Sequence, residues 1–218
     1  MAVDLRLYAL LDPAQSGGRT LGELAASIAH GATIVQLRDK HGTTRAMIQE
    51  ARAIMSALDG RAPLLVNDRV DVALAAEADG VHIGWDDIEP ADARLLLGRQ
   101  AIIGLSLKTV AQAQAAPLDL LDYVAIGGVF VTQSKDNPDP PVGLDGFAAI
   151  LKAVRARAPR MPVCAIAGIN AANAATVIAA GADGVAVISA LSSASDPAKA
   201  TRELRAIIDD ALARRGGT

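Results

Sequence analysis

Glu77-Ala78-Asp79-Gly80-Val81 and Gly181-Ala182-Asp183-Gly184-Val185 are two copies of one joint. Each closes an Ala-rich stretch of helical period and opens a short apolar run. Gly31-Ala32-Thr33-Ile34-Val35 is a related form, and Leu121-Asp122-Tyr123-Val124 a looser one that keeps the Asp and the Val. The four joints enter every second strand of the reading below, as a quarter-barrel repeat does. Gly and Asp also suit ordinary turns between helix and strand, so the joint alone does not choose the fold. At strand starts, barrel residues serve stability, so Asp79 and Asp183 are expected to be structural despite their charge.

Working outward, strands are expected at residues 5–11, 33–38, 63–68, 80–84, 101–106, 123–130, 162–168 and 184–189. Most of these runs are apolar throughout, as a sheet covered on both faces requires. Helices are expected at 20–30, 43–58, 70–76, 90–97, 109–116, 144–158, 171–180 and 197–214. Asn170 and Asp196 stand where N-caps belong, and Pro90 and Pro197 suit first turns. Strict alternation means a doubly wound sheet or a closed barrel. The repeat favours an α/β fold of the (β/α)8 TIM-barrel type, with residues 1–218 as one catalytic domain.

Composition narrows the function. Hydrophobic residues make up 51% and aromatics 2%, so the core is aliphatic. The net charge of −3 and the absence of a basic stripe with aromatics argue against nucleic acid. Cys164 is the single cysteine, which excludes an internal disulfide and a Cys-rich zinc site. His30, His41 and His82 lack metal-ligand spacing. His82 reads as a satisfied histidine at the core or rim, and Cys164 as a small buried hydrophobe. No run suits a membrane span, no leader is visible, and a cytoplasmic location is expected.

Polar residues gather where the strands end, which is where barrel enzymes work. Gln36, Arg38 and Lys40 alternate along an extended segment and share a face. Arg38 offers a fork for phosphate oxygens and Lys40 a point charge; the same run also reads as a solvated turn. Asp68 and Asp87, after neighbouring strands, suit a hard cation such as Mg²⁺. Salt bridges with Arg69 or Arg38 are the rival reading, and Asp86 competes with Asp87. Gly168-Ile169-Asn170 opens a helix, and with Ser189 it suits a phosphate. Residues 131–143 form a long polar loop that carries Lys135, a third cation, and loops of this length are often functional. Residues 202–215 read as a solvated helix face. There is room for a metal-bound diphosphate and a monophosphate. No arrangement suggests a covalent enzyme intermediate, so the chemistry is displacement of pyrophosphate by charge neutralisation.

These clusters, in this order, resemble the thiamine-phosphate synthase family. The resemblance covers almost the whole chain. It rests on Val35-Gln36-Leu37-Arg38-Asp39-Lys40, Val66-Asn67-Asp68-Arg69, Asp79-Gly80-Val81-His82-Ile83-Gly84 with Asp87, Ile103-Gly104-Leu105-Ser106, Asp122-Tyr123-Val124, the segment from Gly127 to Lys135, and Gly181-Ala182-Asp183-Gly184-Val185. The family joins a hydroxymethylpyrimidine diphosphate to a thiazole phosphate. The resemblance implies that Gln36, Leu37, Arg38, Asp39, Lys40 and Asn67 hold the pyrimidine diphosphate. Ser106 and Lys135 contact the same substrate, Lys135 at the pyrophosphate. Arg38, Lys40, Ser106 and Lys135 are then the catalytic set. Asp68 and Asp87 are the Mg²⁺ ligands. Thr132, Gln133 and Ser134 face the thiazole, and Gly168, Ile188 and Ser189 hold its phosphate. The implied mechanism is dissociative: pyrophosphate leaves, the aminopyrimidine stabilises a methylene cation, and the thiazole nitrogen attacks. A carboxylated thiazole also loses CO₂. The family allows a homo-oligomer.

The chain departs from the family pattern in places. Thr132-Gln133-Ser134 replaces Thr-x-Thr, and Ala167-Gly168-Ile169 replaces Gly-Gly-Ile. Trp85 stands where Gln is common, Lys108 where His is, and Gly128 where Pro is frequent. A related thiazole tautomerase would carry a catalytic His at the Gly128 position and would not need Arg38, Lys40, Asp68 and Asp87. A non-catalytic paralogue that binds thiazole or thiamine phosphate would not need the metal carboxylates.

Overall fold

At four places the entry to an even-numbered strand grips the odd-numbered strand before it. Thr33 Oγ1 accepts from the Leu7 amide at 3.1 Å. Asp79 Oδ2 accepts from Leu64 N at 2.8 Å, Asp122 Oδ2 from Ile103 N at 2.8 Å, and Asp183 Oδ2 from Val163 N at 2.9 Å. A carboxylate or hydroxyl thus satisfies an amide at the mouth of the ladder, where no strand residue can reach it. Arg94 backs Asp122 at 2.7 Å, and Arg155 backs Asp183 at 2.5 Å, in the same relative place. This shared bond is the physical content of the repeated joint, with Thr33 doing in the first quarter what Asp does in the others.

The computed structural model describes residues 3–132 and 140–216. Its strands are β1 (Leu7–Leu11), β2 (Ile34–Leu37), β3 (Leu64–Asn67), β4 (Gly80–Ile83), β5 (Ile102–Leu107), β6 (Tyr123–Ile126), β7 (Val163–Ile166) and β8 (Gly184–Val187). They close in sequence order into a parallel barrel, β8 pairing back onto β1 through Tyr8 and Ala186. Between them, among the described residues, run α1 (Leu21–Ile28), α2 (Thr44–Leu58), α3 (Val70–Ala76), α4 (Pro90–Leu97), α5 (Val110–Ala115), α6 (Gly143–Arg157) and α7 (Ala174–Ala179), then α8 (Ser189–Ser192) and α9 (Pro197–Gly216) after β8. The expected barrel is the observed one.

Two apolar layers hold it together. The outward positions of the strands, such as Leu7, Val35, Val66 and Val185, pack against the buried stripes of the helices. The inward positions form a second cluster: Tyr8, Ile34, Leu65, Tyr123, Cys164 and Ala186 among them. Inward and outward sets alternate along every strand, as the pleat demands. The barrel interior is unusual in holding both tyrosines of the chain. Gly104 makes room for one of them, since a Cβ there would lie 2.0 Å from the Tyr123 ring. Cys164 is fully buried, and burial pushes its thiol up, as a structural cysteine requires.

The helix signals hold at several ends. Thr20 and Glu23 form a capping box on α1, Asp196 accepts from Lys199 N at 2.9 Å, and Pro90 opens α4. Three expectations are corrected. β6 ends at Ile126, because Gly128 takes a φ of +75° and leaves the ladder. Asn170 does not cap α7, which starts at Ala174. Residues 170–173 form a turn instead, in which Asn170 N donates to Asn173 Oδ1 at 2.8 Å and Ala172 N to Asn170 Oδ1 at 2.9 Å. The arginines of 202–215 are more than a solvated face: Arg205 donates to Gly31 O at 3.0 Å, and Arg215 to Ala182 O at 2.6 Å, which ties α9 to two strand entries. The short α8 was not expected at all. No helix among the described residues is long and apolar enough to cross a membrane.

Candidate active site

Because all strands run parallel, the residues that follow them share one rim. On the β2–β4 side of that rim lie the charges. Arg38, just past β2, is ion-paired to Asp12, just past β1. Asp12 is itself buried and accepts from Ala14 N at 2.9 Å, so it fixes the guanidinium from below. Lys40 is ion-paired to Asp68, to which Asn67 Nδ2 also donates at 2.6 Å. Asp68 sits at φ +60°, a left-handed conformation, and its amide donates to His82 O at 2.8 Å. Burial raises the Asp68 carboxyl above the usual range, Lys40 opposes that rise, and the neighbouring Asp87 carboxylate adds to it. Asp87 Oδ2 accepts from Gly84 N at 2.8 Å. The choice between Asp86 and Asp87 thus resolves in favour of Asp87 as the partner of Asp68. Arg69 turns away to Asp71 at 2.5 Å.

Two crowded carboxylates with oxygen donors only fit a hard divalent cation. Among the described residues no cluster of three or more His, Cys, Asp or Glu exists. Asp68 and Asp87 suit Mg²⁺, which needs only one or two carboxylates when substrate phosphates complete its shell.

Inside the barrel, Gln36 Nε2 donates to Tyr8 Oη, which lies 2.9 Å from Tyr123 Oη. Tyr123 Oη lies 2.8 Å from His82 Nδ1, and His82 Nε2 lies 2.8 Å from Ser106 Oγ. Burial raises both tyrosines far above their ordinary range, so they stay protonated. Gln36 Oε1 is buried and has no hydrogen-bond partner among the described residues. His82 is the satisfied histidine that the sequence suggests.

On the β7–β8 side a cavity of about 500 Å³ is lined by Thr132, Gly168, Asn170, Ile188 and Ser189, among others. Gly168 has a φ of +66° and cannot be replaced: a Cβ there would lie 2.5 Å from Val131 O. Ala167 beside it holds a φ of +88° without being glycine. The helix end at this cavity is that of α8, which begins at Ser189, and α7 starts too late to serve. That single turn brings Ser189 and Ala190 to the cavity wall.

The rim therefore unites Gln36, Arg38, Lys40, Asn67, Asp68, Asp87 and Ser106 on one side, and Thr132, Gly168, Ile188 and Ser189 on the other. Two residues stand apart. The Leu37 side chain is buried in the outer layer, so only its backbone faces the rim. Asp39 accepts from the amides of His41 and Gly42 at 2.9 and 2.8 Å, closing a turn. Gln133, Ser134 and Lys135 lie outside the described residues. Sequence reading missed Asp12, Tyr8 and Tyr123; an acid at the end of the first strand, and tyrosines at inward positions, were the available signals.

A parallel barrel with paired carboxylates and cations on one arc of its rim, and a cavity at β7 and β8, is a phosphate-handling barrel enzyme. A family model described as thiamine monophosphate synthase matches residues 7–191. The thiamine-phosphate synthase of Agrobacterium fabrum is 54% identical over 215 residues, which is 98% of each chain. That of Chloroflexus aurantiacus is 47% identical over 155 residues, covering 70% of this chain and 71% of its own. Among solved structures, the thiamine phosphate pyrophosphorylase from Pyrococcus furiosus superposes with a TM-score of 0.83 at 35% identity, over 96% of this chain and 98% of that one. A 3-hexulose-6-phosphate synthase reaches a TM-score of 0.65 at 19% identity and speaks for the fold alone. The chain belongs to the thiamine-phosphate synthase family, and it is a transferase of thiamine biosynthesis.

Proposed function

We propose that this rim divides the synthase reaction between two subsites. The pyrimidine diphosphate occupies the β2–β5 arc, and the thiazole phosphate occupies the cavity at β7 and β8. The observation that carries this reading is the placement of the Lys40–Asp68 pair with Asp87 on one arc and the 500 Å³ cavity on another, both beyond the carboxyl ends of the strands.

In this reading Arg38 and Lys40 bind the diphosphate, and Asp12 sets the guanidinium in place. Asp68 and Asp87 would hold Mg²⁺, whose positive charge offsets that of the departing pyrophosphate when it is bound. Gln36, Asn67 and Ser106 orient the pyrimidine. The methylene C–O bond breaks with its electron pair leaving on pyrophosphate. The aminopyrimidine shares the resulting positive charge, and the thiazole nitrogen then forms the C–N bond. A carboxylated thiazole also releases CO₂. No protein nucleophile is required, and Cys164 is buried far up its titration range. Thr132, Gly168, Ile188 and Ser189 hold the thiazole phosphate. Gln133 and Ser134 would face the thiazole, and Lys135 would meet the pyrophosphate. The tautomerase reading is disfavoured because Gly128 offers no imidazole.

The test supplies Mg²⁺, hydroxymethylpyrimidine diphosphate and thiazole phosphate, and follows pyrophosphate and thiamine phosphate together. Equal release of both, abolished by EDTA, is the expected result. Isomerised thiazole without pyrophosphate, or binding without either product, would overturn the reading in favour of a tautomerase or a ligand-binding paralogue.

A further inference from the structure

The hydrogen bonds inside the barrel form one continuous relay from Gln36 through Tyr8, Tyr123 and His82 to Ser106. Its ends are two residues of the pyrimidine subsite. Its middle is sealed: Tyr8 is 1% and Tyr123 0% exposed. Gln36 is as buried as Tyr8, at 1%, so what separates end from middle is hydrogen bonding: both tyrosine hydroxyls are used within the relay, while Gln36 Oε1 has no partner among the described residues.

Such a relay has a direction. Gln36 Nε2 donates to Tyr8. The Tyr8 proton is buried and has to be used within the relay, so it goes to Tyr123 Oη. The Tyr123 proton then goes to His82 Nδ1. A ring nitrogen that accepts belongs to neutral imidazole, with its hydrogen on Nε2. That hydrogen goes to Ser106 Oγ, and the Ser106 hydroxyl keeps its own proton to donate onward. At the other end Gln36 keeps Oε1 as an acceptor, and this is the buried oxygen without a partner among the described residues. Reversing either end reverses every bond between them.

We propose that Tyr8, Tyr123 and His82 are positioning residues that hold Gln36 as an acceptor and Ser106 as a donor. They thereby make the pyrimidine subsite select a ring offering an amino donor and a ring-nitrogen acceptor over its oxo counterpart. The inference rests on the placement of the pyrimidine at Gln36 and Ser106. An oxo ring offers an acceptor where the amino ring offers a donor, and so meets Gln36 Oε1 with its own lone pairs. Burying two acceptors against each other costs the full desolvation of both.

The experiment compares the amino-pyrimidine diphosphate (kcat and KM) with its 4-oxo analogue (Ki) in the wild type, Tyr8→Phe and Tyr123→Phe. The KM for thiazole phosphate is the control for folding. Both variants should lose about tenfold of the amino-over-oxo preference, the size expected of one buried hydrogen bond. The thiazole phosphate KM should not change. Ser106→Ala should cost less of the amino-over-oxo preference in Tyr123→Phe than in the wild type, because part of its effect passes through the same relay. An unchanged preference with lowered Tm, or equal rises in both KM values, would overturn the relay alone. A wild type that makes no thiamine phosphate would overturn the subsite reading and the relay with it.

Discussion

Ala167 holds a φ of +88° at the wall of the β7–β8 cavity, and Asp68 a φ of +60° at the end of β3. Left-handed conformations cost an L-residue about 1–2 kcal/mol, and glycine is the usual occupant. Ala167→Gly relieves that strain but adds about 0.5–1 kcal/mol of unfolded-state entropy. The net expectation is a Tm about 2 °C higher, read by thermal denaturation. An unchanged or lower Tm would mean that the position is not strained. Asp68 makes a different prediction. Its carboxyl is raised, first by burial, so the folded chain holds the proton more tightly than the unfolded chain. Stability from this group therefore falls as pH rises from about 4, the unfolded range, through the raised folded value. Asp68→Asn should melt above the wild type at pH 7 without metal, with the gap closing near pH 4, and should lose turnover.

The elements owe their closure to the four joints between helix and strand. Asp183 serves the Val163 amide and both Arg155 and Arg215, so its loss strands several groups together. Asp183→Ala should cost about 2 kcal/mol and about 5 °C of Tm, while Asp183→Asn, which keeps an acceptor, should cost less. Turnover at low temperature should survive in both, because the joint lies at the end of the barrel opposite the rim. This layer was the most legible in the sequence. The Ala-Asp-Gly-Val copies mark strand entries, and apolar runs mark strands covered on both faces. The less legible parts have physical reasons. Thr33 stands where the other joints have Asp because a hydroxyl also accepts an amide, so the first copy reads only as a related form. Asn170 resembles a cap because its side chain does bond a nearby amide, but of a turn rather than of α7. The α8 helix spans only Ser189–Ser192, too short for a periodicity to show. At the site, the cations and carboxylates stood out by type and spacing. Tyr8 and Tyr123 carried no signal of their pairing, because only closure of the barrel brings β1 and β6 face to face across its interior.

At the scale of the molecule, one rim carries two arcs of different build. The β2–β4 arc is built from charges that are already engaged: Arg38 with Asp12, and Lys40 with Asp68. The β7–β8 arc is built around Gly168, where a Cβ would lie 2.5 Å from Val131 O, and α8 begins at its cavity. A metal and a diphosphate suit the first, and a monophosphate suits the second. If the two arcs are separate subsites, a change in one should spare the other. Asp87→Asn is the direct test, measured by titrating thiazole phosphate into the variant and by following its pyrophosphate release with Mg²⁺. The expected result is thiazole phosphate affinity close to the wild type, with turnover lowered by about a hundredfold or more, as for loss of a group that stabilises developing charge. Equal loss of affinity and turnover would contradict the division of the rim.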